Sequence, residues 1–227
     1  MSQPLPLFPL GTVLFPGLLL PLHVFEDRYR AMMRDLIEGP DGERVFGVVA
    51  IREGREVGAD GVRALHAVGC LARLRQVEPY ADGRFDVVGT GTRRFVVGSL
   101  DETGPYLRAQ VEFLDEPEGA AAPIVARSVR SVWNAYRAAL TRPGPDRGDE
   151  MGMGPERELP ADPAVLSYLV AASAILDLTD KQRLLEAPDT TTRLRAELAV
   201  LRREAALLRL LPSLPAVHLT RTVVSPN

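Results

Sequence analysis

The strongest constraint on this chain is the stretch at residues 5–30, LPLFPLGTVLFPGLLLPLHVFEDRYR. Its apolar residues are interrupted at Pro9, Pro16 and Pro21. Each proline fixes φ and removes a backbone donor, so a continuous helix is impossible and short strands joined by tight turns are expected. The run Glu26-Asp27-Arg28-Tyr29-Arg30 then changes character. Tyr29, Met32, Met33, Leu36 and Ile37 recur at helical spacing, which predicts a helix over 26–38. Gly39-Pro40-Asp41-Gly42 stops it.

Beyond that helix the pattern reads as strand. Residues 45–51 (VFGVVAI) form a β-branched apolar run, 54–61 a turn-rich loop, and 62–77 a strand broken near Gly69. Asp82-Gly83 marks a hairpin into 84–88, since Asp-Gly supplies the positive φ of a tight turn. Gly89-Thr90-Gly91 reads as a turn into 94–97, and 106–114 supplies a last strand. About six strands with frequent turns predict a small antiparallel barrel or sandwich.

After Pro117 the period changes to that of helices. Residues 123–140 carry a stripe of Ile124, Val125, Val129, Val132, Trp133, Tyr136 and Leu140. Residues 143–160 are rich in Gly, Pro and charge and predict a mobile loop. Asp162-Pro163 is an N-cap followed by a first-turn proline, opening a helix to about 175. Thr179 and Gln182 fit a capping box for a short helix at 180–187. The last helix, 190–211, places Leu194, Leu198, Leu201, Ala205 and Leu208 in one apolar seam. The expected fold is α+β: a β-rich unit with one helix at 1–118, a helical bundle at 119–211 and a tail at 212–227.

The chemistry-bearing residues are few. The sole lysine, Lys181, rules out a phosphate-binding Gly-Lys-Ser/Thr loop elsewhere, and it reads as solvated, which argues against a Ser–Lys dyad. Gly89-x-Gly91 is only a fragment of a dinucleotide fingerprint. His23, His66 and His218 lack partners at ligand spacing, so no metal site is expected. The single cysteine, Cys70, permits no intrachain disulfide and fits a reduced, cytoplasmic setting; in an apolar strand it reads as a small buried hydrophobe. Glu26 and Arg30 suit a surface ion pair one helical turn apart. The arginines at 193, 195, 202, 203 and 209 interleave with Glu197 and Glu204 and read as a solvated face. Net charge is −3, which predicts no attraction to nucleic acid or anionic membranes. No basic residue precedes Arg28, so the apolar N-terminus reads as mature core and not as a leader or span. No catalytic set and no cofactor site emerge: the chain is expected not to be an enzyme.

Several motifs in fixed order carry a resemblance. They are Leu5-Pro6-Leu7-Phe8-Pro9-Leu10, Val13-Leu14-Phe15-Pro16-Gly17, and Leu20-Pro21-Leu22-His23-Val24-Phe25-Glu26-x-Arg28-Tyr29-Arg30. Phe46-Gly47-Val48-Val49, Val68-Gly69-Cys70-Leu71-Ala72-Arg73-Leu74, Asp82-Gly83-Arg84, Gly91-x-x-Arg94-Phe95 and Asp180-Lys181-Gln182-x-Leu184-Leu185-Glu186 continue it. Over residues 5–211 the chain resembles the Lon protease N-terminal domain family. The resemblance implies a PUA-like β pseudo-barrel followed by a helical bundle, and a recognition module without the ATPase and Ser–Lys protease domains. The expected function is binding of unfolded or flexible polypeptides, with Phe15, Pro16, Leu18, His23, Glu26 and Tyr29 as candidate contacts. Alternatives are an adaptor or self-assembling subunit docking onto a protease or chaperone, and an RNA-binding PUA-like module, which the acidic balance disfavours.

Overall fold

A computed structural model of the chain describes residues 3–54, 62–140 and 159–210. Most of the turn expected at 54–61, nearly all of the loop expected at 143–160, the tail at 212–227 and His218 lie outside these residues.

The β half is built from β1 (Gln3–Leu10), β2 (Leu19–Val24), β3 (Val45–Gly54), β4 (Val62–Leu65), β5 (Val68–Pro79), β6 (Phe85–Asp101) and β7 (Arg108–Phe113). Five of these close a ring in the order β1-β7-β6-β5-β3, with β3 returning to β1. Strand directions cannot alternate all the way round an odd ring, so one pair must be parallel. That pair is β1–β3, in the register Leu7↔Gly47 to Leu10↔Ala50; every other pairing is antiparallel. β4 hangs on β3, and β2 on β6.

Helix α1 (Asp27–Glu38) lays Tyr29, Met32, Met33 and Leu36 against the ring, where the Tyr29 ring stacks on Phe8 at 4.1 Å. Gly47 and Gly69 leave room for Phe95: a Cβ on either would lie within 2.7 Å of that ring. The helical half comprises α2 (Ala122–Leu140), α3 (Pro163–Ser173), α4 (Leu178–Glu186) and α5 (Thr190–Leu210) around a core of Val129, Trp133, Tyr136, Leu166, Leu194 and Leu201. The α5 seam expected from its leucines packs into this core. Asp162 caps α3 by accepting from the Ala164 and Val165 amides.

Several expectations are corrected. Gly89 and Gly91 are not a turn but part of the 17-residue strand β6. Gly91 is there because the chain crosses it: a Cβ would sit 2.3 Å from the Phe15 carbonyl oxygen. The break in 62–77 falls at His66-Ala67, before Gly69. Ile124, at the start of α2, is 62% exposed and leaves the core stripe. The cap of α4 is Asp177, whose side chain accepts from the Asp180 amide; Thr179 lies inside the helix. The solvated face assigned to α5 is wrong in part, since Arg193 and Glu197 are fully buried.

Arg193 belongs to an ionic junction between the halves. Glu116, in the link from β7 to α2, accepts from Arg193 Nη2 at 2.7 Å on one oxygen. Its other oxygen accepts from Arg94 Nε at 2.8 Å and from the Tyr168 hydroxyl. Arg94, on β6, also donates to the carbonyls of Leu185 and Ala187, completing the end of α4. Arg193 donates to Leu184 O and Ser167 Oγ and lies 4.0 Å over the Tyr168 ring. Burial pushes the Glu116 carboxyl up, but the Tyr168 hydroxyl and the two guanidiniums outweigh it and hold it below its ordinary value.

Glu197 contrasts with this junction, because neither of its carboxylate oxygens has a hydrogen-bond partner among the described residues. Burial pushes its carboxyl well above the ordinary value of 4.5, against the pull of Arg193. A raised folded-state value means that the native chain holds this proton more tightly than the unfolded chain. Its contribution to stability is therefore complete below pH 4.5 and declines as pH rises toward the folded-state value. Glu197→Gln, which mimics the protonated acid, is expected to raise the melting temperature at neutral pH and to flatten the fall in stability above about pH 5. Parallel stability–pH curves for the two proteins, measured by thermal melts, would contradict this.

Candidate functional site

Among the described residues β2 pairs with β6 alone, from Leu19↔Thr90 to Val24↔Phe85, so it is an edge strand of the described sheet. This explains Pro21 inside a strand, because a residue without an amide proton costs no ladder bond on a free edge. Alternation buries Leu20 and Val24, whereas Leu19 is 68% exposed and Pro21 and His23 also face solvent. Phe25, in the step from β2 to α1, is 48% exposed.

Around His23 the side chains form a row. The Phe25 ring stacks on His23 at 6.3 Å, Tyr80 meets His23 edge-on at 5.9 Å, and the Arg84 guanidinium lies 5.6 Å over Tyr80. Asp86 binds the row together, 2.6 Å from His23 Nδ1 and accepting from the Tyr80 hydroxyl at 2.5 Å. Arg84 Nη1 lies 3.3 Å from His23 Nε2. A guanidinium can only donate, so a hydrogen bond at this contact requires the neutral ring with its proton on Nδ1, facing Asp86. The Tyr80 hydroxyl and His23 hold the Asp86 carboxyl below its ordinary value, and Asp86 in return pushes the Tyr80 phenol up.

Two clefts flank His23. The larger, about 730 Å³, is walled by Pro21, Leu22, Val77, Val87 and Val88, with Glu78 and Asp86 at its polar side. The smaller, about 160 Å³, lies between β2 and the end of β1, reaching Phe8, Leu10, Phe25 and Glu26. Leu22 and His23 line both.

The residues expected to touch a ligand divide. His23 is on this surface; Pro16, Leu18 and Glu26 are half-buried. Phe15 and Tyr29 are 1% and 4% exposed: Phe15 packs on Tyr168, whereas Tyr29 stacks on Phe8 and lines the smaller cleft. Glu26 pairs with Arg28 at 3.0 Å. Arg30 bonds Asp27 and the carbonyls of Asp82 and Gly83. Leu19, Phe25, Tyr80, Arg84 and Asp86 were not foreseen. The hairpin at Asp82-Gly83 was visible, but the register that sets His23 opposite Asp86 joins residues 63 apart and leaves no local signature.

His23 and Asp86 resemble the base half of a hydrolytic triad, yet Arg84 occupies the nitrogen that would take a proton. Cys70 is fully buried, and burial pushes its thiol up to about 12, so it carries a proton at neutral pH. Lys181 is half-buried, not solvated as expected, and donates to Ala172 O; burial lowers its ammonium. No group of His, Cys, Asp and Glu among the described residues could hold a metal ion.

Residues 4–203 match the family model of the ATP-dependent protease La (LON) substrate-binding domain. The chain belongs to that family. It is 30% identical over 217 residues to Lon protease of Anaeromyxobacter dehalogenans, covering 91% of this chain and 24% of that protein. It is 27% identical over 208 residues to Lon protease of Escherichia coli K12, covering 90% of the chain and 25% of the relative. The chain thus spans about a quarter of the length of the curated relatives it matches. A crystal structure of a Lon N-terminal domain protein from Xanthomonas campestris superposes with a TM-score of 0.60 at 25% identity, covering 87% of this chain and 98% of that one. The N-terminal domain of Mycobacterium avium complex Lon protease, at 20% identity and a TM-score of 0.59, shares the fold over 90% of this chain and 98% of its own. The α+β expectation, a β pseudo-barrel followed by helices, agrees with these neighbours. No helix among the described residues is long and apolar enough to cross a membrane.

The burial of Cys70 predicts that a thiol reagent labels the folded chain only as fast as the core opens. Labelling in native buffer should be slower than in denaturant by at least about a hundredfold. Equal rates would place the thiol at the surface.

Proposed function

We propose that this member of the Lon substrate-binding family binds unfolded or flexible polypeptide without transforming it, and that the contact surface is the β2 edge with the row Phe25–His23–Tyr80. The observation that carries the reading is a strand edge with no pairing partner among the described residues, beside exposed Leu19, Phe25 and Tyr80. An extended segment can add to such an edge through its own backbone, which gives affinity without demanding a sequence. The clefts on either side of Leu22 and His23 then receive alternate side chains. Apolar walls with polar groups at the margin suit tolerant, weak binding.

The row is better explained as a platform than as a reaction centre. Asp86 and Arg84 hydrogen-bond His23, Tyr80 holds Asp86, and no nucleophile is hydrogen-bonded to that ring among the described residues. A separate adaptor role is favoured by exposed Ile124, Val165, Ile175 and Leu207 on the helical half, which offer apolar surface to a protease or chaperone.

Titration of a labelled, permanently unfolded polypeptide should saturate in the micromolar range. The double change Leu19→Glu with Phe25→Glu should weaken binding by about tenfold or more while leaving the melting temperature nearly unchanged, because both side chains are exposed. Undiminished binding by that variant would move the contact surface elsewhere on the molecule.

A further inference from the structure

The larger cleft beside β2 has a chemistry that ordinary apolar recognition does not need. Among the described residues its ionisable lining is Glu78, Asp86 and His23, with no lysine or arginine. Of the neighbouring guanidiniums, Arg84 is committed to Asp82 at 2.7 Å and to His23, and Arg75 donates to Thr90 Oγ1 at 3.4 Å. Asp86 is kept anionic by the Tyr80 hydroxyl and His23. Glu78 is exposed and makes no ion pair among the described residues. The adjoining row adds the exposed aromatic rings Phe25 and Tyr80, whose faces attract cations.

Resting on the polypeptide-binding reading above, we infer that this cleft selects segments in which a lysine or arginine stands next to an apolar residue, and disfavours acidic segments. The long aliphatic stem of such a side chain lies along Pro21 and Val88, which share the strand face of Glu78 and Asp86, as arginine and lysine stems do on apolar surface. Its charged head reaches Glu78 and Asp86, while the neighbouring apolar residue of the segment meets Leu19 or Phe25. An acidic segment would bring like charge to the same two carboxylates.

The test uses three synthetic unstructured peptides of equal length with the same central Phe-Leu pair, flanked by Lys/Arg, by Ser/Gln or by Glu/Asp. Binding to the full chain is read by fluorescence anisotropy. The basic peptide should bind about three- to tenfold more tightly than the neutral one, and the acidic peptide more weakly than either. The difference should shrink at about 0.5 M salt. Glu78→Lys should reverse the order of basic and acidic peptides, and Glu78→Gln should narrow it; both lie on an exposed position. Equal affinity of all three, or an unreversed order in Glu78→Lys while Leu19→Glu with Phe25→Glu still weakens the neutral peptide, overturns the charge selection and leaves polypeptide binding standing. Failure of every peptide to bind overturns both.

Discussion

One carboxylate, Glu116, ties the two halves of this protein together, beside an apolar seam where Phe15, Ala50 and Val68 meet Tyr168, Leu184 and Leu185. It is shared by two buried guanidiniums, Arg94 from the ring and Arg193 from α5, and by the Tyr168 hydroxyl of α3. Two cations around one anion would be unstable in an apolar interior if the remaining guanidinium donors were idle. They are not: they bond the Leu184, Leu185 and Ala187 carbonyls, the Asp115 carbonyl and Ser167. Removing one member of such a set leaves a buried charge uncompensated, which costs about 3–5 kcal/mol. The junction therefore holds the helices to the ring in a single arrangement.

That arrangement reaches the candidate site through one short loop. Phe15 is packed on Tyr168, at the same place where Tyr168 meets Glu116. Two residues on, Gly17 turns with φ +82, a conformation that a side chain would disfavour. Gly17 and Leu18 then exchange backbone hydrogen bonds with Gly91, and β2 departs from that anchor along β6. The strand edge is thus supported from behind by the ionic junction and presents its free side outward. A preorganised edge loses less conformational entropy when a flexible segment adds to it.

The prolines at 9, 16 and 21 made the strand-and-turn start legible, and the 3.6-residue spacing made α1, α2 and α5 legible. What the sequence hid has a common cause. Gly91 reads as a turn locally, but its reason is a crossing backbone that only the tertiary structure supplies. Arg193 and Glu197 read as a charged helix face because burial of arginine is rare unless its partners, here Glu116 and the α4 carbonyls, come from elsewhere in the chain. His23 was visible as a candidate, while Asp86 and Tyr80 were not, since strand register brings them to it from a distant hairpin. The sequence does not show which way Phe15 and Tyr29 face, because an aromatic residue beside proline or at a helix start carries no local mark of its orientation.

The central claim is that an unfolded segment docks on the β2 edge of a rigid support. Amide hydrogen exchange, with and without a saturating unfolded basic peptide, tests it most directly. The account predicts slowed exchange confined to residues 19–25 and to the neighbouring stretch 76–88, with α3, α4 and α5 unchanged. Protection concentrated in those helices, or exchange that rises along the link at 114–121 as the halves move apart, would contradict it.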